Sequence, residues 1–164
     1  MEFYPWLVLV HIVSAFVFIL AHGVSVFVVF RVRVEKDRAR LTALLDLSSS
    51  SLNLMFAGLG VSALSGIVAA VVGGHFSQLW PWASIGILVV VVLAMTPLAA
   101  IPLNAVRRAL GQPNSGDRKK GIVPETQSDG EIAVLRARLR PELTAAIGLA
   151  GLVVLVWLMQ TKPF

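Results

Sequence analysis

The sequence predicts an all-α membrane protein, a bundle of four transmembrane helices forming one domain over residues 1–164, and three observations carry that prediction. The first is composition. With 57% hydrophobic and only 14% charged residues, the chain holds far more apolar side chain than a small soluble core can hide, and less charge than the average globular domain. The second is the length of its uncharged stretches. Phe3 to Phe30, Leu52 to Pro102 and Leu143 to Gln160 contain no Asp, Glu, Lys or Arg, and about 20 apolar residues span a bilayer core of about 30 Å. The third is the placement of the 14 Lys and Arg residues, 13 of which fall in two short segments.

The first stretch supplies helix 1, near residues 4–32. It follows Glu2 rather than a basic leader, exceeds the apolar length of a secretory signal and lacks a small-residue cleavage site, so it is expected to stay as a membrane anchor. Arg31, Arg33, Lys36, Arg38 and Arg40 follow it, then Leu41, Leu44, Leu45 and Leu47 among charges. That pattern reads as a short helix at the membrane surface or extending helix 1.

The middle stretch is long enough to cross twice, broken where Gly73, Gly74 and Pro81 punctuate it. This gives helices near 51–73 and 82–107. Pro97 and Pro102 each remove a backbone donor and bend the second of these. Eight more cations follow: Arg107, Arg108, Arg118, Lys119, Lys120, Arg136, Arg138 and Arg140. Residues 109–130 form a loop, whose Gly111 to Gln127 portion is polar enough to be read as a mobile connector. Ser128 to Glu131 fits a capping box, and Pro141 marks the start of helix 4, near 142–160.

Cations concentrated in the first and third loops place those loops in the cytoplasm and both termini outside. Trp6, Trp80, Trp82 and Trp157 agree, since all map to the outer interface where amphipathic rings anchor. The net charge of +5 is therefore read as topology with anionic-lipid contact, not as a nucleic-acid surface. The chain has no cysteine, which removes disulfides, thiolate metal sites and thiol nucleophiles. Ser62, Ser65, Thr96 and Asn104 have no adjacent base, and the apolar stretches hold no acid to relay protons. A hydrolase or proton-coupled transporter is thus not expected.

The chemistry-bearing candidates are histidines. His11 and His22 lie eleven residues apart in helix 1, so they return to within about 20° of one direction with a rise of about 16 Å. Ser14 and Ser25 share that stripe. An ionisable residue inside a membrane is a functional hypothesis by default, and neutral imidazole ligates metals. Helix 2 carries Gly58, Ser62, Gly66, Ala70 and Gly74 at intervals of four, a ridge suited to a close helix or a flat cofactor. Haem b, axially ligated by His11, His22 or both, fits an apolar helix bundle. His75, at the outer end of helix 2, is the candidate to face His11. His22 then takes Met55, Met95 or its own symmetry mate in a homodimer as a second ligand. Copper is less favoured, because Met1, Met55, Met95 and Met159 are scattered along the chain.

The segments VHIVSAFVFILAHGVSVFVVFRVR, SSSSLNLMFAGLGVSALSGIVA and WPWASIGILVVV resemble a family of small bacterial four-helix integral membrane proteins of unknown function. The likeness spans about residues 6–108. More distantly, the His-bearing first helix is similar to those of copper-resistance D-type domains and four-helix cytochromes b. The resemblance implies the bacterial cytoplasmic membrane and a haem protein handling electrons, with a redox partner protein, or a small redox ligand. Those cytochromes present two pairs of histidines on separate helices, whereas this chain has three histidines, His11, His22 and His75, so a single haem or a dimer is expected. The alternative is a cofactor-free accessory or assembly subunit of a membrane complex.

Overall fold

Helix formation along most of this chain follows from long runs of unbranched or β-branched apolar residues with few internal breakers, and the helices end where Gly or charged turns interrupt them. The computed structural model describes residues 2–164. It contains seven α-helices: α1 (Tyr4–Val34), α2 (Arg38–Val72), α3 (Trp80–Met95), α4 (Ile101–Ala109), α5 (Ser115–Lys120), α6 (Asp129–Ala137) and α7 (Pro141–Thr161). A 3-10 turn (His75–Ser77) precedes α3, and a π-helical turn (Thr96–Ala100) joins α3 to α4. Among the described residues, four segments are long and apolar enough to cross a membrane: α1, α2, the continuous Trp80–Ala109 run and the Asp129–Thr161 run. The chain is an all-α four-helix bundle of the multi-pass membrane type.

Within the bundle, α1 lies along the length of α2, α7 packs against α3, and α1 meets α7. The α1–α2 pair and the α3–α7 pair are thus joined through α1 and α7. Along the spans, Leu9, Phe16, Leu20, Leu64, Val90 and Leu93 point outward, the pattern of side chains that lipid rather than protein covers. The densest core lies instead at the end of the bundle that carries the basic residues. There Val28, Val29, Val32, Leu41, Leu45, Val106, Ala109, Ile132 and Leu139 are buried together.

That core explains a departure from the expected helix 2. The segment around Leu41–Leu47 is neither a separate surface helix nor part of α1. It is the first three turns of α2, which begins at Arg38 with Asp37 as N-cap, its carboxylate accepting the Arg40 N–H at 2.8 Å. Only Glu35 to Asp37 separate α1 from α2. Glu35 closes this turn by accepting the Lys36 and Asp37 N–H groups, and bonding to the Asp37 and Lys36 amides holds its carboxyl below the usual carboxylate range. The serine run stays helical with its hydroxyls bonded back to earlier carbonyls, Ser50 to Asp46 at 2.9 Å and Ser51 to Ser48 at 2.8 Å. Burial of Leu41 and Leu45 supplies the tertiary anchor that sequence pattern alone does not reveal.

The polar connector is also built rather than loose. Asn114 and Asp117 form a reciprocal capping box on α5, Gly121 ends it in the left-handed region, and an antiparallel bridge pairs Leu110 with Thr126. Asp117 is buried and lies 3.4 Å from the Arg108 guanidinium. Polar residues order here because each satisfies another's backbone or charge, a route open to polar sequence when the caps are in place. The expected capping box at Ser128 and Glu131 starts α6. Pro97 lies within the π-helical turn that joins α3 to α4, and Pro102 is the second residue of α4.

Arg107 clasps the two helix pairs at the basic end. Its guanidinium donates to the Leu45 carbonyl, to Ser49 Oγ at 2.6 Å and to Asp46 Oδ1 at 3.3 Å, while the residue is only 6% exposed. Charge-assisted bonds to a buried group are worth more than neutral ones, and removing the donor leaves acceptors unpaired. Arg107→Ala is expected to lower unfolding stability by about 2–4 kcal/mol, read as a shifted denaturant midpoint in detergent. The exposed pairs Arg33–Glu142 and Arg38–Asp129, both 2.7 Å, contribute far less, about 0–1 kcal/mol each.

Candidate functional site

Two of the candidate residues, His11 and Ser62, form the clearest polar contact between transmembrane helices. His11 Nδ1 lies 2.7 Å from the Ser62 carbonyl oxygen and 3.3 Å from Ser62 Oγ. A carbonyl only accepts, so Nδ1 carries the proton. The ring rests directly on Gly66, where a Cβ would sit 2.8 Å from His11 Cε1 and Nδ1. Two turns away, a Cβ on Gly58 would meet the Phe18 backbone nitrogen at 2.8 Å and the Ser14 carbonyl at 3.1 Å. The small-residue ridge Gly58, Ser62, Gly66 therefore faces α1 and lets the two backbones touch. Ser14 spends its hydroxyl on its own helix, donating to Val10 O at 2.6 Å and His11 O at 3.0 Å. Ser25 reaches Ser51 Oγ on α2 at 3.1 Å.

His22 has different surroundings. Its ring stacks on Phe18, centroids 5.6 Å apart and planes 17° from parallel. A Cβ on Gly148 of α7 would lie 3.4 Å from His22 Nε2 and 3.4 Å from the Met95 methyl carbon. An imidazole nitrogen and a methionine methyl thus both border the notch left by one glycine. None of the side-chain hydrogen bonds among the described residues involves His22. Met95 is the last residue of α3, immediately before the π-helical turn that contacts α7; such turns re-aim side chains and recur at functional sites.

His75 sits in the 3-10 turn, with Nε2 3.4 Å from the Tyr4 hydroxyl and its ring 5.5 Å from that of Trp80. His11 stands level with Ser62 and Gly66 of α2, whereas Tyr4, beside His75, is seven residues or about 10 Å farther along α1. His11 and His75 are consequently not brought face to face. The single histidine stripe also divides: its His11, Ser14 and Ser25 members adjoin α2, while His22 adjoins α7 and the end of α3. α1 is wedged between two neighbours, so a modest angular drift along it changes the partner.

Among the described residues no three His, Cys, Asp or Glu side chains gather in a metal-binding group. The His22–Met95 approach joins residues 73 positions apart, and its sequence signals are faint: Gly148 and Gly151 in an otherwise bulky helix. Gly151 plays the parallel role for Val91, whose Cγ2 lies 2.6 Å from where a Cβ would be. Sequence pattern names Met95 only as one of several candidates for His22 and does not point to the Arg107 clasp, although a cation one turn beyond Leu103 in an amphipathic helix end is its signal. Comparison with protein-family models, with curated proteins and with solved structures returned no match.

Proposed function

We propose that this protein is a membrane-embedded b-type haem protein that carries electrons at the bacterial cytoplasmic membrane, and that His22 and Met95 would hold the haem iron. One observation carries this reading: an imidazole that makes no hydrogen bond among the described residues and the methyl end of a methionine both border Gly148 in an apolar span. An imidazole left so is costly in lipid unless it has a task, and His with Met is an established axial pair for haem iron. The donor types suit haem iron, and Gly148 is the one position beside them that carries no side chain. Bound haem supplies a one-electron ferric–ferrous couple, its potential raised by a Met ligand.

The chain's own residues do the positioning. Phe18 fixes the plane of the His22 ring, Gly148 leaves the space a side chain would fill, and the surrounding helices keep out water. Met95 would supply the second ligand from within the same chain, so no second copy would be needed for it. His11 takes a supporting part by tying α1 to α2, and His75 has no part in the site. Orientation in this reading follows the positive-inside distribution, with the basic end cytoplasmic and the termini outside.

Protein expressed with ample haem supply is expected to show about one haem per chain by pyridine haemochrome assay; none at all would overturn the reading. Gly148→Leu, which fills the notch, is expected to cut haem content by at least half while leaving the helical signal intact. Far-UV circular dichroism and the haemochrome assay on the same sample check this. A second reading, the cofactor-free accessory subunit, draws on the His11–Ser62 bond, which gives one histidine a purely structural use. Colourless protein that copurifies with a larger complex would favour it.

A further inference from the structure

The basic end carries a rigid element that the haem reading does not use. α5 exposes Arg118, Lys119 and Lys120 in succession, and none of the three joins an ion pair among the described residues. Immediately after its left-handed Gly121 cap come Ile122, 42% exposed, and Val123, 81% exposed. Apolar side chains beside three cations are the pattern of a segment at a headgroup boundary.

The segment is fixed in place. The Asp117 carbonyl accepts the Ile122 N–H at 3.0 Å, the Ala109 carbonyl accepts the Gln127 N–H at 2.8 Å, and Asp117 pairs with Arg108. Its level along the bundle follows from a shared groove of about 840 Å³, lined by Ile122 and Val123 together with Ala105 and Arg108. Ala105 is one turn, about 6 Å, closer to the bilayer middle than Ala109 at the end of α4. Ile122 and Val123 therefore reach back alongside the transmembrane helix rather than away from it. Glu125 and Glu131 line the same groove, but Glu131 is engaged with the Ser128 N–H and hydroxyl.

We infer that α5 and the 121–123 turn form an interfacial clamp for an anionic phospholipid, with the phosphate on Arg118, Lys119 and Lys120 and the acyl region beside Ile122 and Val123. Charge complementarity selects this occupant, because three unpaired cations next to apolar side chains match a phosphate joined to hydrocarbon, and cations near an anionic leaflet gain roughly fivefold each in binding.

The chain has no cysteine, so Val123→Cys gives a unique site for an environment-sensitive fluorophore on the full-length protein in nanodiscs. The probe should emit to the blue in phosphatidylcholine mixed with phosphatidylglycerol relative to phosphatidylcholine alone. The shift should vanish at 1 M salt, where the screening length is about 3 Å. Changing Arg118, Lys119 and Lys120 together to Gln should abolish it and lower phosphatidylglycerol retention in native mass spectra by at least about tenfold. Emission from a watery site in both lipids, the same emission in both, or a response surviving in the triple variant would each overturn the clamp. Inorganic phosphate reproducing the shift in phosphatidylcholine discs would also overturn it, by assigning the site to a free anion.

Discussion

Gly58→Leu is expected to drive α1 away from α2 and to leave little stably folded protein. At this crossing the obstacle is backbone: even a methyl would lie 2.8 Å from the Phe18 nitrogen and 3.1 Å from both Phe18 Cα and the Ser14 carbonyl. A flexible side chain yields to such an intrusion, but a helix backbone moves only as a whole. Overpacking costs about 1–3 kcal/mol for modest insertions, and here it acts on the most extensive helix contact in the bundle. Separating the helices also strains the His11–Ser62 bond one turn away. Gly60→Leu is the control, since a Cβ there meets nothing within 4 Å. Thermal unfolding followed by circular dichroism should show Gly60→Leu near wild type and Gly58→Leu largely lost; matching curves for the two would refute the crossing described.

The second large effect is chemical. His22→Ala should give a folded, helical protein that carries no haem, because the side chain removed makes no hydrogen bond that the fold depends upon. Its loss leaves a small space beside Phe18, Met95 and Gly148 that soft side chains partly refill. His11→Ala should do the reverse, retaining the haem while lowering the unfolding temperature, since it deletes the Nδ1–Ser62 bond and the ring seated on Gly66. The pair of variants separates a ligand from a packing residue on one helix. Haem lost from His11→Ala and kept in His22→Ala would exchange their roles.

Much of this architecture is legible in the sequence because membrane physics is blunt. Uncharged runs of bilayer length can only be helices, and the small-residue ridge at Gly58, Ser62 and Gly66 announces close packing before its partner is known. What stays hidden depends on long-range pairing. The start of α2 at Arg38 rests on Leu41 and Leu45 meeting α1, α4 and α6, and no local signal distinguishes that from a surface helix. The order within the connector comes from caps and the Arg108–Asp117 pair, which a composition rule counts as polarity and so reads as mobility. At the site, helical periodicity places His11 and His22 on one stripe but is silent on neighbours. Contacts with α2 at one level and α7 at the other divide that stripe, and they bring Met95 rather than His75 into reach of a helix 1 histidine.

The most direct test of the central claim is the visible absorption spectrum of the detergent-purified protein, oxidised and then dithionite-reduced, with His22→Ala measured beside it. A Soret band with sharp reduced α and β bands in the wild type, absent from His22→Ala, is the predicted result. A flat wild-type spectrum after expression with ample haem, or identical bands in both proteins, would contradict it.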